Sequence, residues 1–140
     1  MNHLRAAAAG AAGTLVWAAL EPLDRRVFRH DYSDVALLGK FVTRGRAWPV
    51  VGLALHAANG AAFGLAYAEI RKWKMVSAVQ LALVEHAALF PLGVFADRAH
   101  PARGEAGLAR LFSLRAFAQA TVRHAVFGAV LGGLLGEEGK

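Results

Sequence analysis

Four long apolar stretches, separated by charged connections, organise this chain. Residues 6–20 and 47–68 contain no charged side chain, residues 75–96 are interrupted only by Glu85, and residues 116–136 only by Arg123. A helix crosses the hydrocarbon core of a bilayer with about 20 apolar residues. Three of the stretches meet that length, and the first approaches it only if its helix runs on through Glu21, Pro22 and Leu23. The pattern therefore predicts an all-α protein, a bundle of four transmembrane helices, with helix 1 ending at Pro22-Leu23.

The connections carry patterns of their own. In residues 24–46, Ser33 followed by Asp34, Val35, Ala36, Leu37, Leu38, Phe41 and Val42 reads as an N-capped amphipathic helix lying on the membrane surface. Residues 107–115, with Leu108, Leu111, Phe112 and Leu114 among Arg110 and Arg115, predict a second short interfacial helix in the third connection. Residues 69–74 form a tight basic turn. Trp48 and Trp73 stand where an aromatic belt belongs, and Pro49 suits the first turn of its helix.

Composition agrees with this outline. The hydrophobic share of 56% and mean hydropathy of +0.38 exceed what a water-soluble domain of this size needs. A soluble alanine-rich bundle is the alternative, and the uncharged length of residues 47–68 argues against it. The net charge of +6 lies mostly between the apolar stretches. Anionic lipid headgroups are a simpler partner for it than nucleic acid, for which no motif is present. Absence of cysteine excludes disulfides, thiolate metal sites and cysteine nucleophiles.

An internal repeat joins the halves. His-Ala-x-x-Gly-Ala-x-x-Gly occurs at residues 56–64 and again at 124–132, Pro22-Leu23 is echoed by Pro91-Leu92, and Asp24-Arg25 by Asp97-Arg98. The chain, residues 1–140, is expected to form a single membrane domain of two parallel two-helix repeats, about 1–72 and 73–140. These would be related by a pseudo-twofold axis along the membrane normal.

Candidate chemistry collects at mid-depth. His56, Glu85, His86, Arg123 and His124 fall within about 5 Å of one another in height, at about 1.5 Å per residue. A charge at the bilayer centre costs roughly 2.5–3.5 kcal/mol by insertion measurements and is usually paired. Glu85 with Arg123 is the expected pair, either locking two helices or holding a titrating acid. Glu85 and His86, about 100° apart on one helix, are expected to face different partners. His56 and His124 occupy equivalent places on diagonally opposed helices and are candidate ligands for a metal ion or for haem b. Gly60, Gly64, Gly128 and Gly132 would leave room for a flat ring, or serve simply as helix contacts. Asn59 extends the polar face of its helix one turn beyond His56, followed by Phe63 and Tyr67. Arg115, Gln119 and Arg123 form a second polar stripe.

The Gly/Ala-rich first helix, His-x-x-Asn-Gly-x-x-Phe-Gly at residues 56–64, Glu85-His86 through Pro91, and Arg123-His124-x-x-Phe-Gly together resemble small four-span integral membrane proteins of bacteria. The resemblance covers most of the chain and implies the bacterial inner membrane, but no activity. Translocation of protons or a small ion or solute is the favoured expectation. A haem or metal redox module and a non-catalytic scaffold or lipid-interacting subunit are the alternatives. No soluble-enzyme motif appears. The leftover Gly and Ala faces of helix 1 predict a homo-oligomer.

Overall fold

The computed structural model describes residues 2–136, so residue 1 of the first repeat and residues 137–140 of the second lie outside the described residues. Among the described residues five helices carry the fold: α1 (His3–Val27), α2 (Asp34–Val42), α3 (Trp48–Ile70), α4 (Ala78–Ala99) and α5 (Leu114–Leu135). In α4 a single 3-10 turn, Phe90–Leu92, accommodates Pro91. Local chemistry sets most of the starts. The side chains of Asn2, Ser33, Ser77 and Ser113 accept backbone N–H bonds at the heads of α1, α2, α4 and α5, and Ser77 with Gln80 forms a reciprocal capping box. Gly136, at φ 78°, ends α5 in the left-handed conformation that glycine adopts without strain.

Three helices, α1, α3 and α4, are long and apolar enough to cross a membrane; α5, which contains Gln119, Arg123 and His124, is not among them. The flanks of α3 and α4 expose Val50, Leu53, Val84, Leu89 and Phe95, as helices surrounded by lipid would. Inside, Ala9, Trp17, Tyr67, Ala78, Ala82, Phe127 and Leu131 form the core.

The helices stand in a row rather than a ring. α3 packs on α1, α1 on α5, and α5 on α4, while α3 and α4, joined by the short connection at 71–77, make no extended contact. The expected twofold arrangement would need α3 against α4 as much as α1 against α5, so the packing does not repeat in that way.

Glycine decides how close the first pair comes. A Cβ on Gly10 would lie 1.9 Å from the Gly60 carbonyl oxygen, and one on Gly64 would lie 2.1 Å from that of Ala6. At the other end of the row, a Cβ on Gly128 would meet the Val79 backbone at 2.5 Å. Gly132 is buried on the same helix.

Two local expectations are corrected, at Pro22 and over residues 107–113. Helix 1 does not end at Pro22 but continues to Val27, which carries Glu21 and Asp24, three residues apart, onto one face. The α2 helix starts at the Ser33 cap as expected, and one side of it packs on α3 while Phe41 and Val42 stay exposed. Gly39 and Gly52 bring it backbone to backbone against the first turns of α3, with Ala36, Gly39 and Lys40 buried. No helix forms over residues 107–113. Asp97 instead accepts N–H bonds from Leu111 and Phe112, at 2.7 and 3.0 Å, and holds that strand of chain in irregular form.

This third connection clamps α2. Ala109 N–H donates to the Asp31 carbonyl, Ser33 N–H to the Gly107 carbonyl, and Lys40 Nζ to the Ala106 carbonyl, each at 2.9 Å. His100 adds a bond from Nε2 to the Leu37 carbonyl at 2.8 Å. The Asp31 carboxylate accepts the Gly107 N–H and pairs with Arg25; the two hold its carboxyl below the usual carboxylate range.

Two outcomes follow from this packing. Gly64→Val should destabilise the α1–α3 pair by about 3 kcal/mol, because neither backbone can retreat, and thermal unfolding in detergent measures it. The depressed Asp31 stabilises the clamp fully above its ordinary value of 3.8 and loses that contribution as pH falls through the lower folded value. Amide protection factors at Gly107 and Ala109 should therefore drop in that acidic window in the wild type, and not in Asp31→Asn.

Candidate functional site

Two polar assemblies flank Trp17 midway along the helices. The first surrounds Arg123, whose side chain is 2% exposed. Its Nε and NH2 donate to the two Asp24 oxygens at 2.5 and 2.6 Å, NH1 donates to Asp34 Oδ2 at 2.8 Å, and NH2 also donates to the Tyr32 carbonyl at 2.9 Å. Glu21 Oε1 stands 3.7 Å from NH1. One guanidinium thus faces three carboxylates from α1 and α2. Neutral donors offset the formal excess: Ser33 Oγ and the Asp34 N–H on Glu21, Gln119 Nε2 on Asp24, and the Tyr32 hydroxyl and Trp17 indole N–H on Asp34. The N-terminal end of α2, with its partial positive charge, points at the same place.

The second assembly lines a cleft of about 400 Å³ between α3 and α4, floored by α1 and α5. Trp17 meets His56 edge-on at 5.2 Å between ring centroids and His124 at 4.7 Å. His86 stacks on His124 at 4.7 Å and 27°. Glu85 Oε2 lies 4.0 Å from His124 Nε2, with its side chain 40% exposed into the cleft. Asn59 lines the same space from α3.

Hydrogen-bond partners assign the ring protons. His124 Nδ1 lies 2.7 Å from the Ala120 carbonyl, which only accepts, so Nδ1 carries a hydrogen and neutral His124 turns an unprotonated Nε2 toward Glu85. Thr121 Oγ1 donates to the Phe117 carbonyl at 2.8 Å, so it accepts from His86 Nε2 at 3.0 Å. His56 is 6% exposed, and its Nε2 is buried without a protein partner.

The expected histidines and Glu85 therefore converge, whereas Arg123 does not join them. The expected Glu85–Arg123 pair is absent because adjacent residues on α5 point about 100° apart: His124 takes the position facing α4, and Arg123 faces α1 and α2. Glu85 and His86 were expected to face different partners, yet both reach His124, since a long carboxylate and a flat ring approach it from two sides. A bis-histidine haem or metal between His56 and His124 does not fit. The Trp17 indole packs against both rings, and the one free nitrogen of neutral His124 is turned to Glu85. Among the described residues no three His, Asp or Glu side chains are grouped to hold a metal ion.

Of the polar stripe on α5, Gln119 and Arg123 both serve Asp24, while Arg115 is exposed. Phe63 packs on Phe127 at 5.0 Å, and the Tyr67 hydroxyl donates to the Val76 carbonyl at 3.3 Å and accepts from Arg71. Sequence reasoning passed over Trp17, Glu21, Asp24, Tyr32 and Asp34 as members of the site. A usable signal was present. Trp17 lies inside an apolar stretch rather than at its edge, and Glu21 and Asp24 share a helix face directly after that stretch.

Arg123→Met should cost about 3–5 kcal/mol, because it leaves buried carboxylates without their cation. Adding Asp24→Asn and Asp34→Asn should recover part of that loss in the same unfolding titration.

Comparison with protein-family models, with curated proteins and with solved structures finds no match for the chain.

Proposed function

We propose that the protein is an integral protein of the bacterial inner membrane that translocates protons or a small solute through the cleft between α3 and α4. The observation that carries this reading is the pairing of Glu85 with the unprotonated Nε2 of His124 at 4.0 Å, in a cleft midway along the helices. A carboxylate at that depth is costly unless it is used or paired, and this one faces a group able to share a single proton with it. Glu85 is the proton acceptor, His124 its exchange partner, and His56, with its free Nε2, a further stop across Trp17. His86 is held as a donor to Thr121 and positions the His124 ring. Arg123 holds the framework and takes no part in transfer.

In this reading α5, at 22 residues, is the fourth span. Its charged group is fully paired inward, which removes the principal cost of placing it in lipid. The two halves are copies of a two-helix ancestor whose packing diverged when α2 folded in. The basic side chains of the connections meet anionic headgroups; the small-residue face of α1 is taken up within the chain, and a second copy covers its exposed flank of Leu15, Val16 and Leu20.

Reconstitution tests this directly. Vesicles enclosing a pH-sensitive dye and carrying the wild-type protein should collapse an imposed pH gradient at least tenfold faster than those carrying Glu85→Gln, with His124→Gln intermediate. Equal rates for wild type, Glu85→Gln and protein-free vesicles would leave the scaffold reading in place.

A further inference from the structure

The lining of the cleft specifies a charge type. Among the described residues that line it there is no lysine or arginine, while two carboxylates, Glu85 and Asp34, reach it. Asp34 is already engaged by Arg123, Trp17 and Tyr32. Glu85 has no cationic partner apart from His124, which is uncharged in the tautomer described above. The walls are aromatic: Trp17, Tyr32, Phe63, Phe90 and Phe127 all contribute. His56 also belongs to the lining.

These features select among ligands. An anion would meet the field of Glu85, while the nearest guanidinium, that of Arg123, is already taken up by Asp24 and Asp34. An inorganic cation would need several oxygen ligands to replace its water, and only one carboxylate here is uncommitted. An organic cation needs less, because its weakly hydrated charge is stabilised by aromatic faces together with one carboxylate. A volume of about 400 Å³ suits a small organic molecule.

We infer that the α3–α4 cleft binds a small lipophilic organic cation, an aromatic or alkyl ammonium, with Glu85 as its counter-charge and the rings around Trp17 as its walls. This rests on the reading of the cleft as the functional site and names the solute class it takes.

Equilibrium dialysis of the full chain in phosphatidylcholine nanodiscs provides the test, with three labelled probes of similar shape: benzyltrimethylammonium, neutral neopentylbenzene and phenylacetate. Benzyltrimethylammonium should bind saturably, with about one probe per chain above empty discs. Its affinity should fall at least tenfold in Glu85→Gln, stay within about threefold in Glu85→Asp, and fall severalfold in Phe63→Leu. Neopentylbenzene and phenylacetate should show no saturable component. The assignment is overturned if the cation partitions no better than into empty discs, if neopentylbenzene binds as tightly, or if Glu85→Gln binds unchanged. The wild-type comparison of cation with neutral isostere needs no variant to fold. Proton flux without this binding removes the cation and keeps the translocation reading, while saturable cation binding without flux does the reverse.

Discussion

The guanidinium of Arg123 and its ring of carboxylates hold the structure together. Arg123 brings α5, Asp24 the end of α1, and Asp34 the head of α2, so one side chain ties three helices that are distant in sequence. Buried charge is costly unless every donor and acceptor is met. Here most are: Asp24 accepts from Arg123 and Gln119, and Asp34 from Arg123, Trp17 and Tyr32. Any one partner left alone would be a buried unpaired charge, so pulling one of these helices away from the other two is strongly disfavoured.

The rest of the architecture follows from where that network sits. To supply Asp34, the chain after α1 turns back toward the protein interior, and α2 then runs outward along α3. This requires glycine at positions 39 and 52, where the two backbones touch. The third connection covers the outer side of α2 through bonds to the Asp31 and Ser33 backbone and to the Lys40 ammonium. With α1 bound to α3 on one side and to α5 on the other, α4 has α5 as its one long-helix neighbour among the described residues and meets the third connection at its end. The space it leaves opposite α3 is the cleft, and Trp17 forms its floor. Trp17 also joins the two assemblies: its N–H donates to Asp34, and its ring contacts His56 and His124. A change of charge in the cleft is thereby one aromatic ring away from the network that sets the helix positions.

Much of the helix pattern was legible because it depends on neighbours along the chain. Apolar runs marked the long helices, Ser33 marked the start of α2, and the repeated His-x-x-x-Gly pattern marked where imidazoles and close contacts occur. Local signals misled where tertiary partners overrode them. Pro22 reads as a helix end, yet α1 continues because Asp24 beyond it is held by Arg123. The glycine of α2 carries no signal of a partner, yet at Gly39 the helix is held backbone to backbone on α3. Residues 107–113 read as amphipathic helix, yet their backbone groups are claimed by Asp31 and Asp97.

The sequence by itself determined that the chain is helical, that its helices are long and apolar, and that histidines and two charged groups lie at similar height along them. Those properties follow from composition and from a fixed rise per residue. Which charges pair was decided only by the tertiary structure. Height is a sum over residues of one helix, whereas facing depends on how each helix is rotated against neighbours that backbone glycines and the Arg123 network select. A turn of about 100°, the step from residue 123 to 124, separates the pair expected from sequence from the two distinct assemblies that the folded protein contains.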